Sequence, residues 1–228
     1  MRKKHLGIVL VSLLSFANGS VYAEVEQVTA LTVSNPSAMI ATIDQYMASG
    51  ETGAQSVTLL AHMHDGVDPS THTVVAIYDD LETLESALDG RANSTAWAAL
   101  LRSTASISKV NSSLLAIQRR TWGENGWDEG DYLTAVLINA ADDASWLAAM
   151  DGWNRSNKVK NPGMVRIVRL RGGAPASHAV LLASSSYADL INFMEGVEAS
   201  KEFASLRSAA EAMTVGTTVY RVAKVWKP

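Results

Sequence analysis

Apolar and polar positions alternate along VTALTV (28–33), and apolar residues then recur at Met39, Ile40, Ile43 and Met47. The change from a period of two to one near 3.6 predicts a strand followed by a helix. Asn35 suits the cap of that helix. Pro36 suits its first position, where a missing N–H costs nothing. Two further strands, SVTLLAHMH (56–64) and one opening at His72, flank the turn formers DGVDPST (65–71) and read as a hairpin. The next helical region is split. Leu81, Leu84 and Leu88 form one stripe, which Gly90 ends as a C-terminal cap would. A second helix starts near Ser94 and carries Trp97, Leu100, Leu101 and Ile107. LLAIQRRTW (114–122) is a closing strand.

The same order then returns. HTVVAIYDDLETLESALDG (72–90) reappears as HAVLLASSSYADLINFMEG (178–196). His72 aligns with His178, Leu84 with Leu190, Leu88 with Met194 and Gly90 with Gly196. Beyond it, Ser94 meets Ser200, Trp97 meets Phe203 and Leu100 meets Leu206. LLAIQRRTW meets VYRVAKVW (219–226), so both copies close on Trp. The earlier halves match more loosely: VTALTV with LTAVLI (133–138), AMIATIDQYM (38–47) with SWLAAMDGWN (145–154), and SVTLLAHMH with MVRIVRLR (164–171). In the second copy Asp142 or Asp143 caps the first helix, whose stripe is Trp146, Leu147 and Met150. GGAPAS (172–177) makes its hairpin turn. Repeated order over about 100 residues points to duplication of a small domain. The expected fold class is α+β, two tandem β-α-β-β-α-β repeats of ferredoxin-like plan. Repeat 1 spans 24–122 and repeat 2 spans 131–228. The linker 123–130 is too short to let the halves part, so the two sheets should pack face to face.

The strand–split-helix–strand blocks 72–122 and 178–226 resemble the dimeric α+β-barrel superfamily, most nearly its antibiotic-biosynthesis-monooxygenase-like branch. The resemblance covers almost all of the chain after residue 23 and rests on element order and apolar pattern. It carries no catalytic motif that maps residue by residue. It implies an intrachain pseudo-dimeric barrel, and a ligand cavity either between sheet and helices or inside the barrel. Such proteins include cofactor-free oxygenases of polycyclic phenols, haem-containing and haem-degrading enzymes, lyases and isomerases. The fold therefore leaves the chemistry open.

Composition narrows the field. Arg2, Lys3 and Lys4, an apolar run from Leu6 to about Ala17, and small residues at Val21 and Ala23 read as a signal peptide, residues 1–23, cut after Ala23. The expected compartment is the periplasm or the exterior. The formal charge of −4 becomes −7 once those three basic residues leave, and no basic tract remains. Nucleic acid and anionic membranes, which demand clustered Lys and Arg, are thereby disfavoured as partners. No cysteine is present, which excludes thiol nucleophiles and disulfides. Phosphate loops, dinucleotide fingerprints, GxSxG and HExxH are absent.

The candidate site residues are few. HMHDGVDPSTH places His62, His64 and His72 around one hairpin, where imidazoles two apart on a strand share a face and His72 comes across. With Asp65 or Asp68 they form a candidate site for zinc or copper. Arg169 and Arg171 take the places of His62 and His64 in repeat 2, where they suit a carboxylate or phenolate. His178 and His72 are the first candidates for a base or a haem ligand. Trp97 and Tyr78 are candidates for lining a pocket, among aromatics that also include Tyr46, Trp146, Trp153 and Tyr220. The sequence favours a small-molecule-binding protein that takes an apolar or aromatic ligand and needs no cofactor. A cofactor-independent monooxygenase-like enzyme is the alternative, and a haem- or metal-associated protein the second alternative. Further association of copies into a homo-oligomer stays open.

Overall fold

The computed structural model describes residues 23–66, 68–124, 126–159, 163–209 and 211–228. The signal-peptide reading, apart from Ala23, lies outside the described residues. Repeat 1 runs β1 (Val25–Val33), α1 (Pro36–Met47), β2 (Ser56–His64), β3 (His72–Tyr78), α2 (Leu81–Arg91), α3 (Thr95–Thr104) and β4 (Ser108–Gly123). Repeat 2 runs β5 (Tyr132–Asn139), α4 (Asp143–Ser156), β6 (Met164–Arg171), β7 (His178–Ser184), α5 (Tyr187–Glu198), α6 (Lys201–Ala209) and β8 (Met213–Trp226).

The helix starts follow the caps in the sequence. The Asn35 side chain accepts from the Ala38 N–H at 3.0 Å, and Ser94 from that of Trp97 at 2.8 Å. Asp142 caps α4, accepting from Ser145 N–H at 2.7 Å, which releases Asp143 for another task. Each such cap contributes about 1 kcal/mol. Gly90 departs from expectation. Helix α2 runs through it to Arg91, and Gly90 has no left-handed backbone; Gly196 likewise lies inside α5. At Gly196 the reason is packing, because a Cβ there would meet Val159 Cγ1 at 3.2 Å.

The strands form one closed antiparallel barrel in the order β1-β3-β2-β8-β5-β7-β6-β4. Closure rests on the last strand of each repeat, and both are longer than the sequence suggested. The first part of β4 pairs with β1 (Ser108–Ile117) and its later part with β6 of the other repeat (Leu115–Gly123). In the same way β8 pairs first with β5 and then with β2. No sheet edge in the barrel is left to template aggregation. Alternation along each strand sorts side chains between lumen and helix layer. On β7, Ala179, Leu181 and Ala183 join the lumen core, whereas Leu182 packs under the helices.

The linker does more than turn the chain. Trp127 is buried at one end of the barrel, its indole N–H donating to Thr58 Oγ1 at 3.1 Å. The Arg166 guanidinium lies over its ring at 5.5 Å and donates to Glu26 at 2.8 Å, tying β6 to β1. Burial pushes the Glu26 carboxyl above its usual range, opposed by that guanidinium. Among the described residues no helix is long and apolar enough to cross a membrane.

Candidate functional site

Each repeat holds a cavity between its sheet and its helices, and the two differ. In repeat 2 the cavity measures about 430 Å³. Its walls are Trp146, Met150 and Trp153 of α4, Phe193, Met194 and Val197 of α5, Phe203 and Leu206 of α6, and Val136, Ile138, Val180 and Leu182 of the sheet. Its rim is polar: Glu198, Arg207, Thr214 and Thr217 are all exposed. Ligand pockets commonly measure about 300–1,000 Å³, so this one has room for a small flat molecule. Trp146 and Trp153 are 3% and 6% exposed, and neither indole N–H meets an acceptor among the described residues. A buried Trp N–H ordinarily finds a partner, because leaving it dry costs about 1–3 kcal/mol.

The cavity of repeat 1 measures about 170 Å³ and is plugged by a side chain. Arg91 lies over the Trp97 ring at 4.4 Å. It donates to Gln27 Oε1 at 3.0 Å and to the Tyr78 hydroxyl at 2.6 Å. Tyr46 meets the same Trp97 edge-to-face at 5.5 Å. Burial pushes the Tyr78 hydroxyl above its usual pKa. Aligned on Gly90 and Gly196, Arg91 corresponds to Val197; strand pairing sets Gln27 against Thr134 and Tyr78 against Ser184. Repeat 2 has thus lost every member of the plug, and with Phe203 in place of Trp97 its cavity stays open. Trp97 and Tyr78, candidates from the sequence, belong to the closed half.

The histidines do not converge. His72 pairs opposite Ala61, which sets it on the helix face, whereas His62 stands beside Thr73 in the lumen. A bulge between His62 and His64 breaks the two-residue periodicity, so that His62 packs on Tyr220 and His64 lies near Tyr187. Among the described residues no three His, Asp or Glu side chains gather where they would hold a metal ion. The equivalence of His62 with Arg169 is corrected as well. Arg169 pairs opposite His178 as Ala61 pairs opposite His72, so Leu170 is the counterpart of His62. A slip of one residue moves a side chain to the other face of a sheet.

Arg169 and His178 meet on Asp143. His178 Nε2 lies 2.8 Å from Asp143 Oδ1 and its Nδ1 lies 2.9 Å from Ser177 Oγ; Arg169 and Arg119 reach Asp143 Oδ2 at 3.0 and 2.9 Å. Burial disfavours the charged carboxylate, yet the His178 hydrogen bond and the two guanidinium groups hold Asp143 below its usual pKa. The cluster fastens the start of α4 to the sheet beside the open cavity, where Trp146 lies 6.3 Å from the His178 ring. Arg171 is exposed at the end of β6.

Inside the barrel a third cavity of about 170 Å³ opens at the end opposite Trp127, between the two hairpin turns. Its body is apolar. Its polar lining comprises His62, Thr73, Tyr220, Thr218 and Ser112, with Asp68 at the mouth and Glu26 beside Trp127. His62 Nδ1 lies 3.0 Å from Asp65 Oδ2, and its Nε2 lies 2.8 Å from Thr73 Oγ1. The His72 imidazole is pushed below its usual pKa by burial and by the charge of nearby His62.

No family model matches the chain, and no curated protein matches it in sequence. Solved structures do. A proposed monooxygenase from Fusobacterium nucleatum superposes at a TM-score of 0.62 with 12% identity, over 90% of this chain and 95% of that one. A heme-binding protein from Thermus thermophilus superposes at 0.55 with 11% identity, over 88% and 91%. A chlorite dismutase from Candidatus Nitrospira defluvii superposes at 0.51 with 11% identity, over 86% and 90%. Together with the closed eight-stranded barrel, these likenesses identify the fold: a dimeric α+β barrel built from two repeats of a single chain.

Proposed function

We propose that this is an exported protein that binds a flat, largely apolar small molecule bearing a hydrogen-bond acceptor, in the cavity between sheet and helices of repeat 2. One observation carries the reading. Two buried indole N–H groups that meet no acceptor among the described residues line an apolar cavity of about 430 Å³. A carbonyl or ether oxygen would satisfy them, and the aromatic walls would take the faces of a ring. Export is supported by the basic start, the apolar run and the small residues at Val21 and Ala23. It is checked by the mass of the protein recovered outside the cytoplasm, which should begin at Glu24.

The binding test uses 1,4-naphthoquinone, a flat diketone with no donor, and reads quenching of tryptophan fluorescence. Trp146→Phe and Trp153→Phe remove one donor each and keep an aromatic face in the wall. Each should weaken binding about five- to tenfold, as loss of one buried hydrogen bond does. Equal affinity in both variants and the parent protein would remove the acceptor from the proposal.

Oxygenation of the bound molecule is the second reading, favoured by the likeness to the proposed monooxygenase of Fusobacterium nucleatum. Dioxygen uptake with 1-naphthol as probe, abolished when the cavity is filled, would support it. Haem fits less well. Among the described residues no imidazole lines the repeat 2 cavity, and both nitrogens of His178 are already engaged. A Soret band formed on adding hemin and lost in His178→Ala would reverse that judgement.

A further inference from the structure

The barrel lumen is separate from the cavity of repeat 2. The two share no lining residue, and the sheet lies between them. One end of the lumen is shut by Trp127 and the Arg166–Glu26 pair, whereas the other opens between the hairpin turns after β2 and β6. Residues such as Val28, Leu60, Val75, Leu133 and Leu181 give it an apolar body. At the open end the wall changes character. His62, Thr73 and Tyr220 stand together there: the His62 side chain is 4% exposed, Thr73 is 4% exposed, and the His62 and Tyr220 rings meet edge-to-face at 4.8 Å.

We propose that the lumen is a second binding site, for an uncharged molecule about the size of benzene that carries one hydroxyl group, held with its ring or chain in the apolar body and its hydroxyl against Thr73 and Tyr220. Size follows from volume. An apolar cavity of about 150 Å³ in another protein is known to accept benzene, and this one measures about 170 Å³. It is too small for the flat bicyclic ligand assigned to repeat 2.

Polarity follows from the wall. The Asp65–His62–Thr73 chain holds the Thr73 hydroxyl in place at the wall. Tyr220 stays a neutral donor, its hydroxyl pushed up to about 12 by burial. A hydroxyl both donates and accepts, which matches two hydroxyls side by side. A carboxylate would face Asp65 and Asp68 at the mouth and is disfavoured there.

The test is a titration of the full chain with cyclohexanol, methylcyclohexane and cyclohexylamine, followed by NMR of the methyl and indole resonances. Cyclohexanol should shift the methyls of Val28, Leu60, Val75 and Leu181 and leave the indoles of Trp146 and Trp153 unmoved. It should bind about tenfold more tightly than methylcyclohexane. Thr73→Val keeps the β-branched shape and removes the hydroxyl, so it should erase that preference while still admitting the hydrocarbon. Tyr220→Phe should reduce the preference and offers a second route if Thr73→Val fails to fold. Absence of lumen shifts, equal affinity for alcohol and hydrocarbon in the parent protein, or tighter binding of cyclohexylamine would overturn the proposal. Because the lumen methyls and the repeat 2 indoles are read separately, its failure leaves the repeat 2 site untouched.

Discussion

Repeat 1 and repeat 2 share element order, caps and strand register, yet one closes its cavity between sheet and helices and the other leaves it open. The difference rests on a few positions. In repeat 1 a guanidinium fills the space and is held by Tyr78, Gln27 and Trp97. In repeat 2 the same places hold Val197, Ser184, Thr134 and Phe203, and α4 brings Trp146 and Trp153 where α1 has Met39 and Tyr46. Duplication supplies two copies of a scaffold. With the proposed site in repeat 2, the helix-side cavity of repeat 1 is free to hold packing that stabilises the barrel. The second half also carries the Asp143 cluster, whereas Pro36 stands at the corresponding start of α1 and has no carboxylate to offer.

The comparison can be attacked from both sides. The largest effect should come from restoring the plug to the open half. Val197→Arg places a long cationic side chain in the cavity and should lower affinity for 1,4-naphthoquinone at least 100-fold, measured by fluorescence titration. The reciprocal change should be felt in stability. Arg91→Met leaves the buried Tyr78 hydroxyl and Gln27 amide without their partner. It should lower unfolding free energy in urea by about 2–3 kcal/mol, and it should enlarge the repeat 1 cavity enough to admit the same probe weakly.

A smaller effect is expected at Asp143. Its carboxylate is 18% exposed and its two arginine partners about a third exposed, so solvent screens the pairs. Asp143→Asn should cost about 1–2 kcal/mol at neutral pH. The sign of its pH dependence follows from the lowered pKa. The stabilisation is present above the usual carboxylate value of about 4 and fades as pH falls through the lower folded value. The variant should therefore flatten the acid limb of a thermal-stability profile below pH about 4. The smallest effect concerns His72 of repeat 1. Its folded pKa is depressed, so protonation favours the unfolded chain and stability declines as pH falls below about 6.5. His72→Gln should remove that decline, by a few tenths of a kcal/mol up to about 1.

Much of the fold was legible because it is written in short-range pattern. Asn35, Ser94 and Asp142 announced helix starts, and the repeat from His72 to Gly196 announced duplication. The lengths of β4 and β8 were not legible. Their opening segments, such as SKVNSS, are polar, and their strand character comes from pairing with β1 and β5 rather than from burial. The site was harder to see. Trp146 and Trp153 read as an apolar stripe and are one, and only the missing side chain opposite them makes a cavity. The signal available in the sequence was the exchange of Arg91 for Val197 within an otherwise matched block. The histidines misled because a bulge between His62 and His64 is invisible in a pattern of alternation. A one-residue slip in aligning β2 with β6 also set His62 against Arg169. Asp65 and Thr73 gained their roles only when the hairpin brought them to either side of His62.

The crystal structure of the complex with 1,4-naphthoquinone tests the central claim most directly. The account predicts density for the ring in the repeat 2 cavity, with a carbonyl oxygen within about 3.2 Å of the indole nitrogen of Trp146 or Trp153, and Arg91 still in place in repeat 1. A ring seated behind Arg91 in repeat 1, or one in repeat 2 with no acceptor near either indole, would contradict it.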